Sequence, residues 1–335
     1  MTSITVVVPA YNAAGVLGKC LRHLAEQDYP KDRYEVVVVD DGSTDATPEV
    51  VTEARRRLAL QLRYVRQANA GLAAARNAGA RAARFPVLLF LDPDMWSTPQ
   101  LIRAHARHYH DRRRVAVQGT RLLHPAAKVT SFMQTKELLP DLTPRRRLRL
   151  SPYHTVMSNF SVRADDLWAV GGFDEGFRGY GWEDIEMGFR LHRAGVELHW
   201  EPEAFAWHYH VESLEERLRK QRQAGVNAVY FWRKHGRNGR LGLFLEIHPA
   251  LLPLKWAVYR TGILDRLVRA ALRAVERRLA VSRGLRRKAW LLVASECYNF
   301  LVQEAYYEGV WQGLRARPGA GQLTSPTGSQ RARGG

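Results

Sequence analysis

Two cysteines are all that 335 residues contain, and Cys20 and Cys297 stand far apart with no Cys-x-x-Cys pairing. That argues against a disulfide framework or a thiolate metal centre, and a reducing compartment is the expected setting. Long uncharged runs are missing as well. The longest apolar region, Leu243 to Tyr259, is broken by Glu246, His248, Pro249, Pro253 and Lys255, short of the ~20 residues that span a bilayer. Nothing resembling a basic leader and cleavage site precedes the run Ile4-Thr5-Val6-Val7-Val8, so no signal peptide is expected. Lysine is scarce, supplying eight of 51 basic residues. Acidic residues number only 33, which leaves a net charge of +18. A surplus of that size predicts an anionic partner: a phosphorylated substrate, an anionic lipid surface or nucleic acid.

What is present is enough for a sizeable core, since 46% of the residues are hydrophobic. Strand and helix signals alternate over the first hundred residues. Ile4–Val8, Val36–Val39, Leu62–Val65 and Val87–Leu91 read as strands. Residues 13–27, 44–60 and 70–84 read as helices between them, with Asp45 or Thr44 capping the second. Unbroken apolar strands in this order predict a mostly parallel α/β sheet covered on both faces. Further strands are expected at Val115–Gly119, Val156–Val162, Val196–Trp200 and Ala204–His208. A helix is expected over Asp184–Ala194, with Ile185 and Phe189 on its buried side. The expected division is an α/β domain over 1–215, a basic helical region over 216–316 and a disordered tail over 317–335. Residues 139–151, rich in proline and arginine, read as a mobile basic loop.

In open α/β sheets ligands bind beyond the carboxyl ends of the strands. Three of these ends carry Pro9-Ala10-Tyr11-Asn12, Asp40-Asp41 and Asp92-Pro93-Asp94. Residues i and i+2 of extended chain point the same way, which would let Asp92 and Asp94 face one ion. Hard oxygen ligands suit Mg²⁺ or Mn²⁺. The plainer alternative is a strand-ending turn, which Asp-Pro favours. A second dense region runs from Gly171 to Glu186, where Phe173, Tyr180 and Trp182 interleave with carboxylates and could form a sugar platform. Glu183 and Asp184 fall in the first turn of the following helix, where the dipole favours their ionised forms, as it would for simple capping acids. His208 or His210 could join Asp94 in a metal site only if the fold brings them together.

Val6-Val7-Val8-Pro9-Ala10-Tyr11-Asn12, Val39 to Asp45, Asn69 to Gly79 with Arg76, Asp92-Pro93-Asp94 and Gly171 to Glu175 with Trp182-Glu183-Asp184 occur in a set order. In that order they resemble the family 2 glycosyltransferases, over about residues 3–215. The resemblance implies the GT-A fold with a nucleotide-binding sheet, a metal motif of the Asp-x-Asp type and a helical C-terminal region. It implies that Pro9, Ala10 and Tyr11 line the nucleobase, with Tyr11 stacking on it and Asn12 among the donor-binding residues. Asp41 or Asp40 would hydrogen-bond the base, Arg76 would help hold the nucleotide, and Asp92 would sit near ribose or metal. Asp94 with His208, or His210 in reserve, would hold Mn²⁺ or Mg²⁺. Asp184 would be the general base of an inverting transfer, Glu183 would bind the acceptor, and Asn159 and Trp182 would flank donor sugar and acceptor. The implied partners are a nucleotide-sugar donor and a glycan or lipid-linked acceptor.

Two other classes remain to be weighed. A nucleotidyltransferase on a similar sheet would need a Gly-rich, basic phosphate loop after the first strand, which Pro9-Ala10-Tyr11-Asn12 does not supply. A non-enzymatic basic module is motivated by the Arg-rich helices between Arg217 and Arg287, but no groove-reading motif occurs and nucleic acid is not expected. Arg266, Arg269, Arg273 and Arg277 recur at helical spacing opposite Leu267, Val268, Leu272 and Val275. That pattern fits a solvated face, or an interfacial helix on an anionic membrane. The expected location is cytoplasmic, peripheral to the membrane's inner face.

Overall fold

β-branched runs with no polar alternation make strands that must be covered on both sides. In the computed structural model such runs form β1 (Ile4–Ala10), then α1 (Ala14–Ala25), β2 (Tyr34–Asp40), α2 (Thr47–Arg57), β3 (Leu62–Arg66), α3 (Leu72–Ala82) and β4 (Val87–Leu91). Next come β5 (Met95–Ser97), α4 (Leu101–Ala106), β6 (Val115–Leu123), α5 (Ser131–Gln134), β7 (Leu148–Arg149), β8 (Asn159–Arg163), α6 (Ala164–Ala169), α7 (Glu183–Arg193) and β9 (Glu197–His208). The remainder is helical: α8 (Leu214–Lys234), α9 (Gly239–Phe244), α10 (Leu252–Tyr259), α11 (Ile263–Val281) and α12 (Gly284–Arg315). The structure describes residues 1–111, 113–127, 130–135, 146–259 and 263–316. The tail expected over 317–335, and the part of the basic loop up to residue 145, lie outside them.

The strands form one sheet in the order β3-β2-β1-β4-β8-β6-β9-β5, with β7 against β9. β3, β2, β1 and β4 are mutually parallel. Beyond β4 the sheet is mixed: β8 runs antiparallel to β4 and β6, and β5 antiparallel to β9. Every residue of β1, β2 and β4 is buried. Leu17, Leu21 and Leu24 of α1 and Val51 of α2 cover one face with Val6 and Val8. Ala73 and Ala80 of α3, Leu167 of α6 and Met187 and Leu191 of α7 cover the other with Val7 and Phe90. The carboxyl ends of β1, β2 and β4 therefore open on one edge.

Four local expectations change. α2 begins later than expected, and Asp45 holds its first turn from outside: one carboxylate oxygen accepts from Thr47 N–H at 3.0 Å and the other from Ala14 N–H at 3.1 Å, tying α2 to α1. The two short strands expected between 196 and 208 are one strand, β9. Its pairing with β6 jumps from Gly119–Glu201 to Thr120–Phe205, so the residues around Pro202 bulge out of the ladder. On α7, Met187 and Leu191 face the sheet, whereas Ile185 and Phe189 pack partly exposed against Ala228 and Phe231 of α8 and Tyr306 and Tyr307 of α12. The helical region thus shares a core with the helix that carries Glu183 and Asp184. On α11, Leu272, Val275 and Leu279 are buried against α12, while Leu267 is 61% exposed and lies off the packed face.

Candidate active site

At the end of β1, Pro9 and Ala10 are buried in the strand and Tyr11 presents a ring that is 53% exposed. Asn12 turns the chain in a left-handed conformation, φ 50°. Its N–H donates to Ser43 Oγ at 2.9 Å and its Oδ1 accepts from Thr44 N–H at 2.8 Å, which stitches the exit of β1 to that of β2. Asp41 gathers three donors, Gln67 Nε2 at 2.7 Å, Ala70 N–H at 2.9 Å and Gly71 N–H at 2.8 Å, and so holds the turn into α3. Asp40 is not available to a nucleotide. It is wholly buried, accepting from Ser43 N–H at 2.8 Å and from the Tyr64 hydroxyl. Burial pushes its carboxyl up, but these bonds and Arg66 outweigh that and hold it below the usual range.

Arg76 departs furthest from expectation. It sits on α3, 1% exposed, and reaches carboxylates instead of the nucleotide edge. Its Nη1 donates to Asp184 Oδ1 at 2.6 Å and its Nη2 to Asp92 Oδ1 at 3.3 Å, with Glu183 3.8 Å away and the Phe173 ring beneath at 5.4 Å. A guanidinium can be buried so deeply because three carboxylates surround it. Asp184 Oδ2 accepts from Met157 N–H at 2.9 Å, so both of its oxygens are oriented. Glu183 differs. Burial, and next the charge of Asp184, push its carboxyl up to about 7, and its Oε2 is buried without a partner. Asp92 is also pushed up, first by burial.

Asp92 and Asp94 do not point together, because Met95 N–H bonds back to Asp92 O at 3.1 Å and closes a turn. Asp92 goes to Arg76, and Asp94 goes to the end of β9. Asp94 Oδ2 lies 3.2 Å from His208 Nε2 and 3.6 Å from His210 Nδ1. The candidate ligand atoms of these three residues lie within 4.8 Å of one another. Asp94 Oδ1 is buried and unpartnered, a costly state for a carboxylate oxygen unless a cation takes it. A carboxylate with imidazole is a donor set that Mn²⁺ accepts. Burial raises the Asp94 carboxyl, but the His208 hydrogen bond and the two nearby imidazoles bring it below the usual range.

Two other expected residues do not open onto this site. Asn159 is 1% exposed and fully engaged: its amide donates to Ala204 O at 2.9 Å and Thr120 O at 3.2 Å, plugging the β9 bulge, while Oδ1 meets His105 Nε2 at 2.9 Å. It braces the sheet. Trp182, with φ 77°, stands immediately before α7; its indole N–H donates to Ala224 O at 2.8 Å and its ring packs against Phe244 and Tyr306. The exposed ring of that loop is Tyr180. Sequence reasoning passed over Glu212, Glu216 and Lys220, which crowd His210. The four-residue spacing of Glu216 and Lys220 on α8 was the available signal, with Glu212 just before the helix.

A family model described as glycosyl transferase family 2 matches residues 5–171, and one described as N-terminal domain of galactosyltransferase matches residues 146–214. The chain is 34% identical over 306 residues to a validoxylamine A glucosyltransferase of Streptomyces hygroscopicus subsp. jinggangensis, covering 82% of this chain and 68% of that protein. A mannosyltransferase of Pyrobaculum calidifontis in complex with GDP-Man and Mn²⁺ superposes with a TM-score of 0.60 at 22% identity, over 93% of this chain and 87% of that one. A TarS fragment from S. aureus in complex with UDP-GlcNAc superposes at 0.54 with 20% identity, over 92% of each.

Proposed function

The chain belongs to glycosyl transferase family 2 and is a nucleotide-sugar-dependent glycosyltransferase of GT-A fold; we propose that it works by metal-dependent, inverting transfer to an acceptor hydroxyl. The observation that carries this reading is the division of carboxyls around Arg76. Both carboxylate oxygens of Asp184 are aimed, by Arg76 and by Met157 N–H, whereas the carboxyl of Glu183 beside it is pushed up to about 7. Environments that separate two neighbouring carboxyls assign them different proton roles. Asp184 takes the proton of the acceptor hydroxyl as that oxygen attacks the anomeric carbon. The bond from that carbon to the diphosphate oxygen breaks, the nucleoside diphosphate leaves with the bonding pair, and the configuration inverts. Glu183, whose carboxyl is pushed up to about 7 and so keeps its proton in about half of the molecules at neutral pH, donates in that form to a hydroxyl of the acceptor.

Asp94 and His208 would hold the ion, the buried free Oδ1 of Asp94 being the strongest support. Mn²⁺ or Mg²⁺ there supplies electrostatic neutralisation of the departing diphosphate. Tyr11 covers the base, with the turn held by Asp41 beside it. The named activity of the Streptomyces relative and the GDP-Man and UDP-GlcNAc of the two structural neighbours support a nucleoside-diphospho-hexose donor. The acceptor is a glycan or lipid-linked saccharide. Turnover of such donors with added Mn²⁺ and in excess chelator tests the reading: transfer undiminished by the chelator would refute the metal, and retained anomeric configuration would refute inversion.

A peripheral membrane position is part of the proposal. No described helix is long and apolar enough to cross a membrane. α11 nevertheless carries, beside its packed stripe, exposed Leu264 and Leu267 next to the row Arg266, Arg273 and Arg277. An apolar strip flanked by arginines fits a headgroup–acyl boundary of anionic lipid. Co-sedimentation with anionic vesicles is the test.

A further inference from the structure

Two groups of ligand-type side chains share His210: Asp94 with His208 and His210, and His210 with Glu212 and Glu216. The second group already contains a cation, because the ammonium of Lys220 lies inside it. Its Nζ is 2.8 Å from Glu216 Oε1, 3.1 Å from Glu212 Oε1 and 3.1 Å from His210 Nε2. An ammonium has three N–H donors and no acceptor, and here three acceptors meet it.

We propose that Lys220 is a positioning residue that fixes the tautomer of His210, leaving His208 as the imidazole that binds metal with Asp94 and His210 as the ring stacked against it. This rests on the reading of Asp94 as a metal-holding residue. His210 Nε2 must turn a lone pair toward Lys220, since an N–H there would set two donors face to face. The neighbouring carboxylates do not compete for that atom: Glu212 is 3.7 Å and Glu216 4.0 Å from it, too long for a hydrogen bond. A neutral imidazole whose Nε2 accepts carries its proton on Nδ1. Nδ1 is the atom that faces Asp94 Oδ2 at 3.6 Å. His210 therefore turns an N–H toward Asp94, at a distance too long for a hydrogen bond, and has no lone pair left for a metal on that side. The His208 ring stacks on it at 5.5 Å, nearly parallel, with Nε2 3.2 Å from the same Oδ2 and free to release it for a metal bond. Partners that orient a metal's ligands in this way are worth about 10–100-fold in affinity. Lys220 also lies 5.7 Å from the Tyr180 ring, so one side chain of α8 touches both the metal-binding end of β9 and the loop that leads to Glu183.

Long-range ¹H–¹⁵N correlation of the histidine rings in the full chain without metal tests this directly, with His210→Gln identifying the signals. The expected result is an Nδ1–H tautomer for His210 in the wild type, lost in Lys220→Met and restored in Lys220→Arg. An Nε2–H tautomer in the wild type, or one unchanged in Lys220→Met, would overturn the proposal. Calorimetric titration with Mn²⁺ is the second readout. His208→Ala should lose binding, while Lys220→Met and His210→Gln should each weaken it about tenfold. Equal loss in His208→Ala and His210→Gln would show His210 to be a ligand and overturn the assignment. Failure of the wild type to bind Mn²⁺ would refute the metal reading alone, since the tautomer is measured without metal.

Discussion

Glu183 and Asp184 are adjacent in sequence and opposite in electrostatic setting. Asp184 takes one bond from Arg76 and one from a backbone N–H; Glu183 is 8% exposed, 3.8 Å from the guanidinium and beside a like charge. Replacing Asp184 by Asn keeps the shape and removes the proposed base, so transfer should fall by roughly 10²–10⁴-fold with donor affinity little changed, as steady-state kinetics and donor titration would show. Glu183 makes a prediction about stability. A carboxyl raised from 4.5 to about 7 on folding holds its proton more tightly in the native state, so stability is lost as pH rises from about 4.5 to about 7. Glu183→Gln does not titrate, and should gain stability over the wild type between pH 4 and pH 8 by up to about 3 kcal/mol; a gap in denaturant midpoints that is constant with pH would refute this. Both acids were legible as the first turn of a helix. Their separation was not, because it depends on Arg76, which is more than a hundred residues away and buried only by the fold.

Among the elements, the strand exits were readable because continuous apolar runs can form only doubly covered strands. The Asp92–Asp94 stretch was half-readable: its place at the end of β4 follows from sequence, whereas the turn that sends the two carboxylates apart depends on pairing between β5 and β9. Asn159 shows the limit most clearly. A polar residue at a strand start looks like a site residue, and only the β9 bulge, invisible in sequence, turns it into a brace. The crossing of α8 and α12 depends on two glycines. A Cβ on Gly309 would lie 1.9 Å from Arg222 O, and one on Gly225 2.0 Å from Tyr306 O. Both contacts are with backbone, which cannot swing aside, so Gly225→Ala or Gly309→Ala should cost about 1–3 kcal/mol and lower Tm by several degrees. Because α8 and α12 share one core with Ile185 and Phe189 of α7, activity should fall at temperatures below the melting transition. An unchanged melting curve would show that the helices separate at little cost.

The whole molecule carries +18 charges with a basic helical region joined by a common core to the catalytic elements. Binding to anionic vesicles should be strong at low salt and weaken as salt rises, because screening acts over about 10 Å at 0.1 M. Leu264→Gln with Leu267→Gln, which leaves the net charge unchanged, should reduce it further at fixed salt, with catalysis of a soluble acceptor unchanged. Binding that depends on salt but not on these two leucines would reduce the surface to a purely electrostatic one.

The sequence by itself determined the class of fold, the order of the strand exits and the family, since strand burial and ordered motifs are local properties of the chain. Only the tertiary structure decided which carboxylate meets which cation. Arg76, Asp92 and Asp184 come together across the sheet edge, Asp94 meets His208 at the end of β9, and Lys220 of α8 meets His210, Glu212 and Glu216. Electrostatic roles are set by distance and burial in three dimensions, and neither is encoded at any single position of the chain.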